Sequence, residues 1–352
     1  MIVISARSPY HITINESGQT GSKVELFIWN KGTTEPTVPI YTLSEPIASV
    51  TQTQTNYNIS PYVAEYINQV HADAVSNITY ENDTDWCLVK VKRYKLINDI
   101  ATLLNTVEYV GVNGFTQYLN GVNLNKTLGE NYLLLANESI KNQWNTTATF
   151  YNFIVQRADL DWKVKYYDNA NLLLYTETFL TSGATEFYNF RIPLVFTTSV
   201  KAEIENSADG VIYTIHTEQV EECKYTPVNC SFVNSFGGWQ NLVFFKAKTN
   251  SITVKSSEYN LMQENVSYDI HIGQKRTMNT NGNENVKLNT GWVAENYKEL
   301  LRDLLLSEIV LLNDEPVTVK TQSLTYKTQL KDKMINYEIE FDYAFNLLNN
   351  VS

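Results

Sequence analysis

The chain reads as mainly β, with tandem β-sandwich-like modules followed by an α+β domain in which one amphipathic helix lies on an antiparallel sheet. Three observations carry that reading. Ile335, Tyr337, Ile339, Phe341, Tyr343 and Phe345 fall on one side of an extended segment, and Asn336, Glu338, Glu340 and Asp342 fall on the other. Because side chains alternate across a pleated strand, a slip of one residue would bury those carboxylates, so the segment is an antiparallel strand with one wet face. Strand and turn signals recur at a spacing that suits sandwich modules of about a hundred residues. Finally, Val293, Tyr297, Leu300, Leu301, Leu304 and Leu305 recur at helical intervals, with Glu295, Lys298, Glu299, Arg302 and Asp303 opposite, the pattern of a helix that covers a sheet.

In chain order, Tyr10 to Ile14 and Lys23 to Asn30 are strands joined through Glu16-Ser-Gly18. In the second, Val24, Leu26 and Ile28 share one face and Phe27 and Trp29 the other, so both faces want cover, as in a sandwich core or at a partner surface. Prolines 36, 39 and 46 mark a stretch of loop and edge strand, since proline donates no ladder hydrogen bond. Ser60-Pro61 predicts a short helix through Ile67, with serine as N-cap and proline at the first helical position. Trp86 to Tyr94 is a strand, and Asn113-Gly114 and Asn120-Gly121 are hairpin signals before about Gln156. Trp162, Val164 and Tyr166 alternate, Asp168 to Asn171 turns, Leu172 to Tyr175 returns, and Tyr188, Phe190, Ile192, Leu194 and Phe196 alternate again.

The last region begins near Glu218. Its helix, capped by Asn289 or Thr290, leads through Ile309 to Leu312 and a turn at Asn313-Asp314 into Val317 to Lys320. A meander through Leu324 and Tyr326, turning at Lys331-Asp-Lys333, reaches the terminal strand. The expected domains are therefore an N-terminal β-sandwich-like region at 1–157, a second β module at 158–217 and a C-terminal α+β domain at 218–352.

A hydrophobic content of 43% over 352 residues is enough to give each region a core. The net charge of -11 opposes nucleic-acid binding, which needs clustered Lys and Arg. The longest basic cluster, Lys90-Val-Lys-Arg-Tyr-Lys95, places Lys90 and Lys92 on one strand face and Arg93 and Lys95 on the other, so it forms no one-sided stripe. The start, Met1 to Ile4 before Ser5, Arg7 and Pro9, is too short for a signal peptide's apolar core, and even Leu304 to Leu312 is broken by Ser307 and Glu308. Synthesis in a cytoplasm, no membrane partner and three reduced cysteines are expected.

No catalytic, cofactor or metal site is expected. The four histidines, 11, 71, 216 and 271, are dispersed, and His-Glu-x-x-His, Walker and Gly-x-Ser-x-Gly motifs do not occur. His216, Cys223 and Cys230 lack the close ligand pairs of structural zinc sites, whether or not His271 joins them. A Cys223–Cys230 bridge across Pro227 would need an oxidising setting. Asp159 and Asp161 share a strand face and read as solvated carboxylates, and Asn281-Gly282 reads as a hairpin tip rather than part of a calcium loop. Asn-x-Ser/Thr triplets, such as those at Asn58, Asn77, Asn82, Asn145 and Asn265, read as products of an Asn- and Thr-rich chain. Among the 23 tyrosines and 6 tryptophans most rings sit at core positions, which leaves Phe27, Trp29 and Trp239 as candidate interface anchors. The same residues could instead stack on a glycan in a carbohydrate- or receptor-binding β-sandwich protein.

The segment from Glu222 to Lys246, a strand, a Gly237-Gly238 turn and an apolar strand, is the most idiosyncratic in the chain. Together with Asn289-Thr-Gly-Trp-Val293, Leu304 to Val310 and Asn336 to Phe345, it resembles virion structural proteins of tailed bacteriophages infecting Bacteroidota. The resemblance covers roughly the last 130 residues, with weaker echoes at Ser8-Pro-Tyr10 and Asn58 to Val63. It implies a non-enzymatic tail, neck or baseplate component located in the virion, partnered by copies of itself and other virion proteins.

Overall fold

The computed structural model describes residues 2–49, 52–70, 77–121, 123, 131–145, 149–156, 161–180, 186–221, 224–262, 266–267, 269–325 and 334–349. The protein is mainly β, built from several antiparallel sheets with two α-helices among the described residues. It divides into two compact units: Met1–Val220 with Phe232–Leu242, and Glu221–Ser231 with Val243–Ser352.

The first unit opens with a five-stranded sheet in the order Val3–Ser5, Ile100–Val112, Trp86–Ile97, Gly21–Trp29, Tyr41–Pro46. Its first pair is parallel and the remaining pairs are antiparallel. Gly21–Trp29 is covered on both faces, as its two apolar sides demand: Val24, Leu26 and Ile28 join Ile12, Ile14, Tyr57 and Ile59, and Phe27 is buried opposite them. Ile12 and Ile14 come from His11–Ile14, which pairs with Thr55–Asn58 as a second, two-stranded layer. The hairpin between Trp86–Ile97 and Ile100–Val112 turns on Asn98 and Asp99, both with positive φ.

Two sequence expectations fail here for local reasons. Asn113-Gly114 makes no hairpin: a Cβ on Gly114 would lie 2.8 Å from the Ser235 carbonyl oxygen, and one on Gly237 would lie 2.7 Å from the Gly114 nitrogen, so these glycines permit two backbones to touch. Gly121 ends a short 3-10 helix, Tyr118–Asn120, in the left-handed region. The early α-helix is also shorter than expected. It runs Ser60–Ala64 with Ile59 at the cap position, because the Ser60 hydroxyl is spent donating to the Ser8 carbonyl at 2.6 Å.

The rest of this unit is a sandwich. One sheet runs Asn142–Trp144, Gly210–Gln219, Lys201–Asn206, Trp162–Tyr167, Leu173–Leu180, and the other Thr79–Tyr80, Phe187–Pro193, Phe150–Gln156, Tyr132–Leu134. Alternation holds as read, with Trp162, Val164, Tyr166, Phe190, Ile192 and Leu194 all in one core. The expected 157/158 boundary, however, runs through that core. Phe150–Gln156 pairs along its whole length with Phe187–Pro193, Asn142–Trp144 pairs with Gly210–Gln219, and the Phe153 and Trp162 rings lie 5.1 Å apart. Phe150–Gln156 is buried on both faces, with Ile154 in a neighbouring core with Val3 and Trp86, and Phe153 and Val155 share the core of the described residues of 161–217.

In the second unit Glu338–Tyr343 is a central strand between Glu315–Val319 and Lys275–Asn289. Ile339 and Phe341 are fully buried, while Glu338 pairs with Lys287 and Glu340 with Lys320 on the wet face. Phe345 lies beyond the strand and is exposed. The long helix spans Tyr297–Leu306 and buries Tyr297, Leu300, Leu301 and Leu304; Asp303, expected on the wet side, is buried as well. Val293 instead belongs to a short strand paired with Met334–Ile335. Asn313 and Asp314, both with positive φ, make the expected turn. Asn281-Gly282 is not a hairpin tip: it lies within Lys275–Asn289, opposite Val254 and Lys255, and the positive φ of Asn279 accompanies an irregularity nearby. Tyr326 and the Lys331 to Lys333 turn lie outside the described residues.

Candidate functional site

Two places stand out, one in each unit. In the second, Thr249–Asn260 forms the sheet edge and all twelve of its residues are exposed. It pairs in antiparallel register with Lys275–Asn289 from Thr249↔Lys287 to Asn260↔Lys275. Among the described residues only Asn285–Asn289 of that partner has a strand on its other side, so the distal part is a two-stranded ribbon. Its outer six residues, Lys275 to Thr280, are exposed too. Ile252, Val254, Tyr259 and Met278 lie bare on the strands, and Met262 and Ile270, 86% and 80% exposed, lie bare between them. A lone hairpin is marginal in water, and an uncovered edge with apolar side chains is a template for another chain.

In the first unit a buried polar knot joins several strands. Glu81, just after Thr79–Tyr80, is gripped by Arg191 from Phe187–Pro193, whose Nε and Nη2 both donate to Glu81 Oε1, at 2.8 and 2.5 Å. Glu81 also accepts from the Asn82 backbone N–H and from the Asn152 amide. Asn152 Oδ1 in turn accepts the Trp239 backbone N–H, and Trp239 Nε1 donates to Asp85 Oδ2 at 3.1 Å. Burial pushes the Asp85 carboxyl up to about 7; the Val70 N–H opposes this, the Glu81 charge adds to it, and the Trp239 indole and Arg191 oppose it. Beside the knot opens a cleft of about 440 Å³, bordered by Tyr80, Asp83, Trp86, Tyr188 and Asn189.

The expected anchors are occupied, Trp239 within this knot and Phe27 and Trp29 under lysine side chains. Phe27 is buried beneath the Lys92 ammonium, 4.7 Å from its ring. Trp29 is half-buried against the core of Trp86 and Ile154, with Lys90 over its ring at 5.9 Å. Trp239 is buried and bonded to Asp85, so neither it nor Phe27 offers a surface to a partner or a sugar. The cause lies in the register: Gly21–Trp29 sits between two strands, and the lysines of the basic cluster fold over its rings. Lys90 is itself paired with Glu35 and Glu108.

Cys87 and Cys230 are buried free thiols, and burial pushes both upward, Cys87 to about 12. Cys223, His71, Asp159 and Asn265 lie outside the described residues. Among those described, no three His, Cys, Asp or Glu side chains converge as metal ligands, and no helix is long and apolar enough to cross a membrane. The ribbon and the cleft both escape sequence reading. The exposed ribbon residues are mixed in character, and Tyr80 sits on a strand of two residues, too short to show a period. No protein-family model, no curated protein and no solved structure matches this chain.

Proposed function

We propose that this chain is a non-enzymatic virion structural protein, a tail, neck or baseplate component of a tailed bacteriophage, acting through interfaces with copies of itself and other virion proteins. The uncovered edge strand Thr249–Asn260, with the exposed residues 275–280 of its partner, carries the assembly part of this reading. Strand pairing along a bare edge supplies main-chain hydrogen bonds, and alternate side chains such as Ile252 and Val254 give such a contact its selectivity. The resemblance of the last 130 or so residues to phage virion proteins supplies the setting.

The test is a variant with Tyr259→Asp, Met262→Asp and Ile270→Asp, all at exposed positions. It should melt with the parent protein yet fail to enter particles or to self-associate. Normal incorporation of a folded variant would remove the ribbon from the account.

A further inference from the structure

We infer that Thr249–Asn260 pairs with the same strand of a second copy of this chain, antiparallel about a two-fold axis at Thr253. This deepens the assembly reading, on whose bare edge it rests, by naming the partner and the register. The strand ends its sheet with every residue exposed, and its register with Lys275–Asn289 is unbroken from Thr249 to Lys255, so its outer row of backbone N–H and C=O groups is laid out as a ladder. No proline interrupts it.

The sequence around Thr253 is complementary to its own reverse. Opposed residues of an antiparallel pair share a face of the sheet, so the axis passes through a residue and not between two. Placed at Thr253, it sets Ile252 against Val254 twice, each 58% exposed, and Thr253 against its own copy. Further out Ser251 meets Lys255, Asn250 meets Ser256, Thr249 meets Ser257, and exposed Lys248, just before the strand, meets exposed Glu258. Apolar β-branched side chains pack across such a pair, threonines hydrogen-bond and opposite charges attract, while like charges are nowhere opposed. Other placements lose this match. An axis at Ile252 sets Val254 against Asn250, one at Val254 sets Ile252 against Ser256, and one at Lys255 sets two lysines face to face. Gly282, opposite Val254 in the same chain, has no side chain to cover Ile252 and Val254, and the exposed Leu347 reaches over it together with Ile252, so two copies side by side join these side chains in one apolar row.

Sedimentation velocity of the full chain from about 1 to 200 µM tests the pairing; one strand pair is smaller than a standard interface, so a dimer with Kd of roughly 10–100 µM is expected. Ile252→Lys with Val254→Lys, both at exposed positions, should raise Kd by about tenfold or more. Lys248→Glu and Glu258→Lys should each weaken the dimer severalfold by opposing like charges at both ends. An equimolar mixture of those two variants should regain the parental affinity, because each Glu then meets a Lys of the other chain, and so should the chain that carries both changes. Thermal melts that match the parent's confirm that each variant is folded. A chain that stays monomeric at every concentration, a dimer that the Ile252 and Val254 changes leave intact, or a mixture no tighter than its single variants would overturn the assignment. The two readings fail separately: a monomeric chain whose edge is covered by a different protein in particles removes this partner and keeps the assembly reading, and a dimer of this register that enters no particle does the reverse.

Discussion

Arg191→Met is the sharpest test of how the first unit is held together. Arg191 is 8% exposed and Glu81 4%. The substitution keeps an apolar stem of similar length but removes both guanidinium donors, leaving the Glu81 carboxylate to the Asn82 N–H and the Asn152 amide alone. Breaking a buried pair from one side costs about 3–5 kcal/mol, because a charge stays buried without its counter-ion. At roughly 2–4 °C per kcal/mol for a unit of this size, the melt should fall by about 6–20 °C. Adding Glu81→Gln removes the stranded charge, so the double variant should be more stable than Arg191→Met alone. Urea unfolding of the parent, both single variants and the double variant gives the coupling energy. A loss below ~1 kcal/mol for Arg191→Met, or a double variant less stable than that single one, would show that the knot is not a buried ion pair.

Leu301 is fully buried on the long helix, so Leu301→Ala should cost about 2–5 kcal/mol and Leu301→Asp more; unchanged melts would place the stripe outside the core. Asp85 has a folded value near 7 against an ordinary 3.8, so its contribution is fully present below 3.8 and is lost as pH rises to 7. The unfolding free energy should fall across that window by at most about 1.4 kcal/mol per pH unit, and Asp85→Asn should flatten the slope; a stability that rises over the same window in the parent alone would reverse the assignment. A fragment starting at Ala158 lacks Phe150–Gln156 and Asn142–Trp144, the partners of Phe187–Pro193 and Gly210–Gln219, so its sandwich should not fold. Dispersed amide resonances from residues 161–217 in that fragment would contradict the shared core.

Strands with a strict period were legible from sequence. Ile339 and Phe341, or Trp162, Val164 and Tyr166, alternate because one side of each strand faces a core. Turns with two left-handed residues were legible at Asn313-Asp314, where Pro316 follows, but missed at Asn98-Asp99, which neither proline nor glycine accompanies. Glycine misled at Asn113-Gly114 and Asn281-Gly282, where it allows close approach of other groups: Gly114 to the Ser235–Phe236 backbone, and Gly282 to the Leu347 side chain, 3.2 Å from a Cβ built there. Domain boundaries were not legible across 157/158, since non-local pairing such as Asn142–Trp144 with Gly210–Gln219 leaves no local mark. Neither candidate site was legible. The ribbon is defined by what fails to cover it, and the cleft by residues such as Tyr80 and Tyr188 that non-local strand pairing brings together. Phe27 and Trp239 were singled out as rings outside the assigned core faces, yet both are buried in this fold.

Imaging of the assembled particle at a resolution that traces side chains tests the central claim most directly. The proposal predicts this chain in a ring or tail assembly, with Thr249–Asn260 or the apolar residues between it and Lys275–Asn289 covered by a neighbouring chain. A particle that lacks the chain, or one in which the chain is present with the ribbon bare in solvent and the contacts made elsewhere, would contradict it.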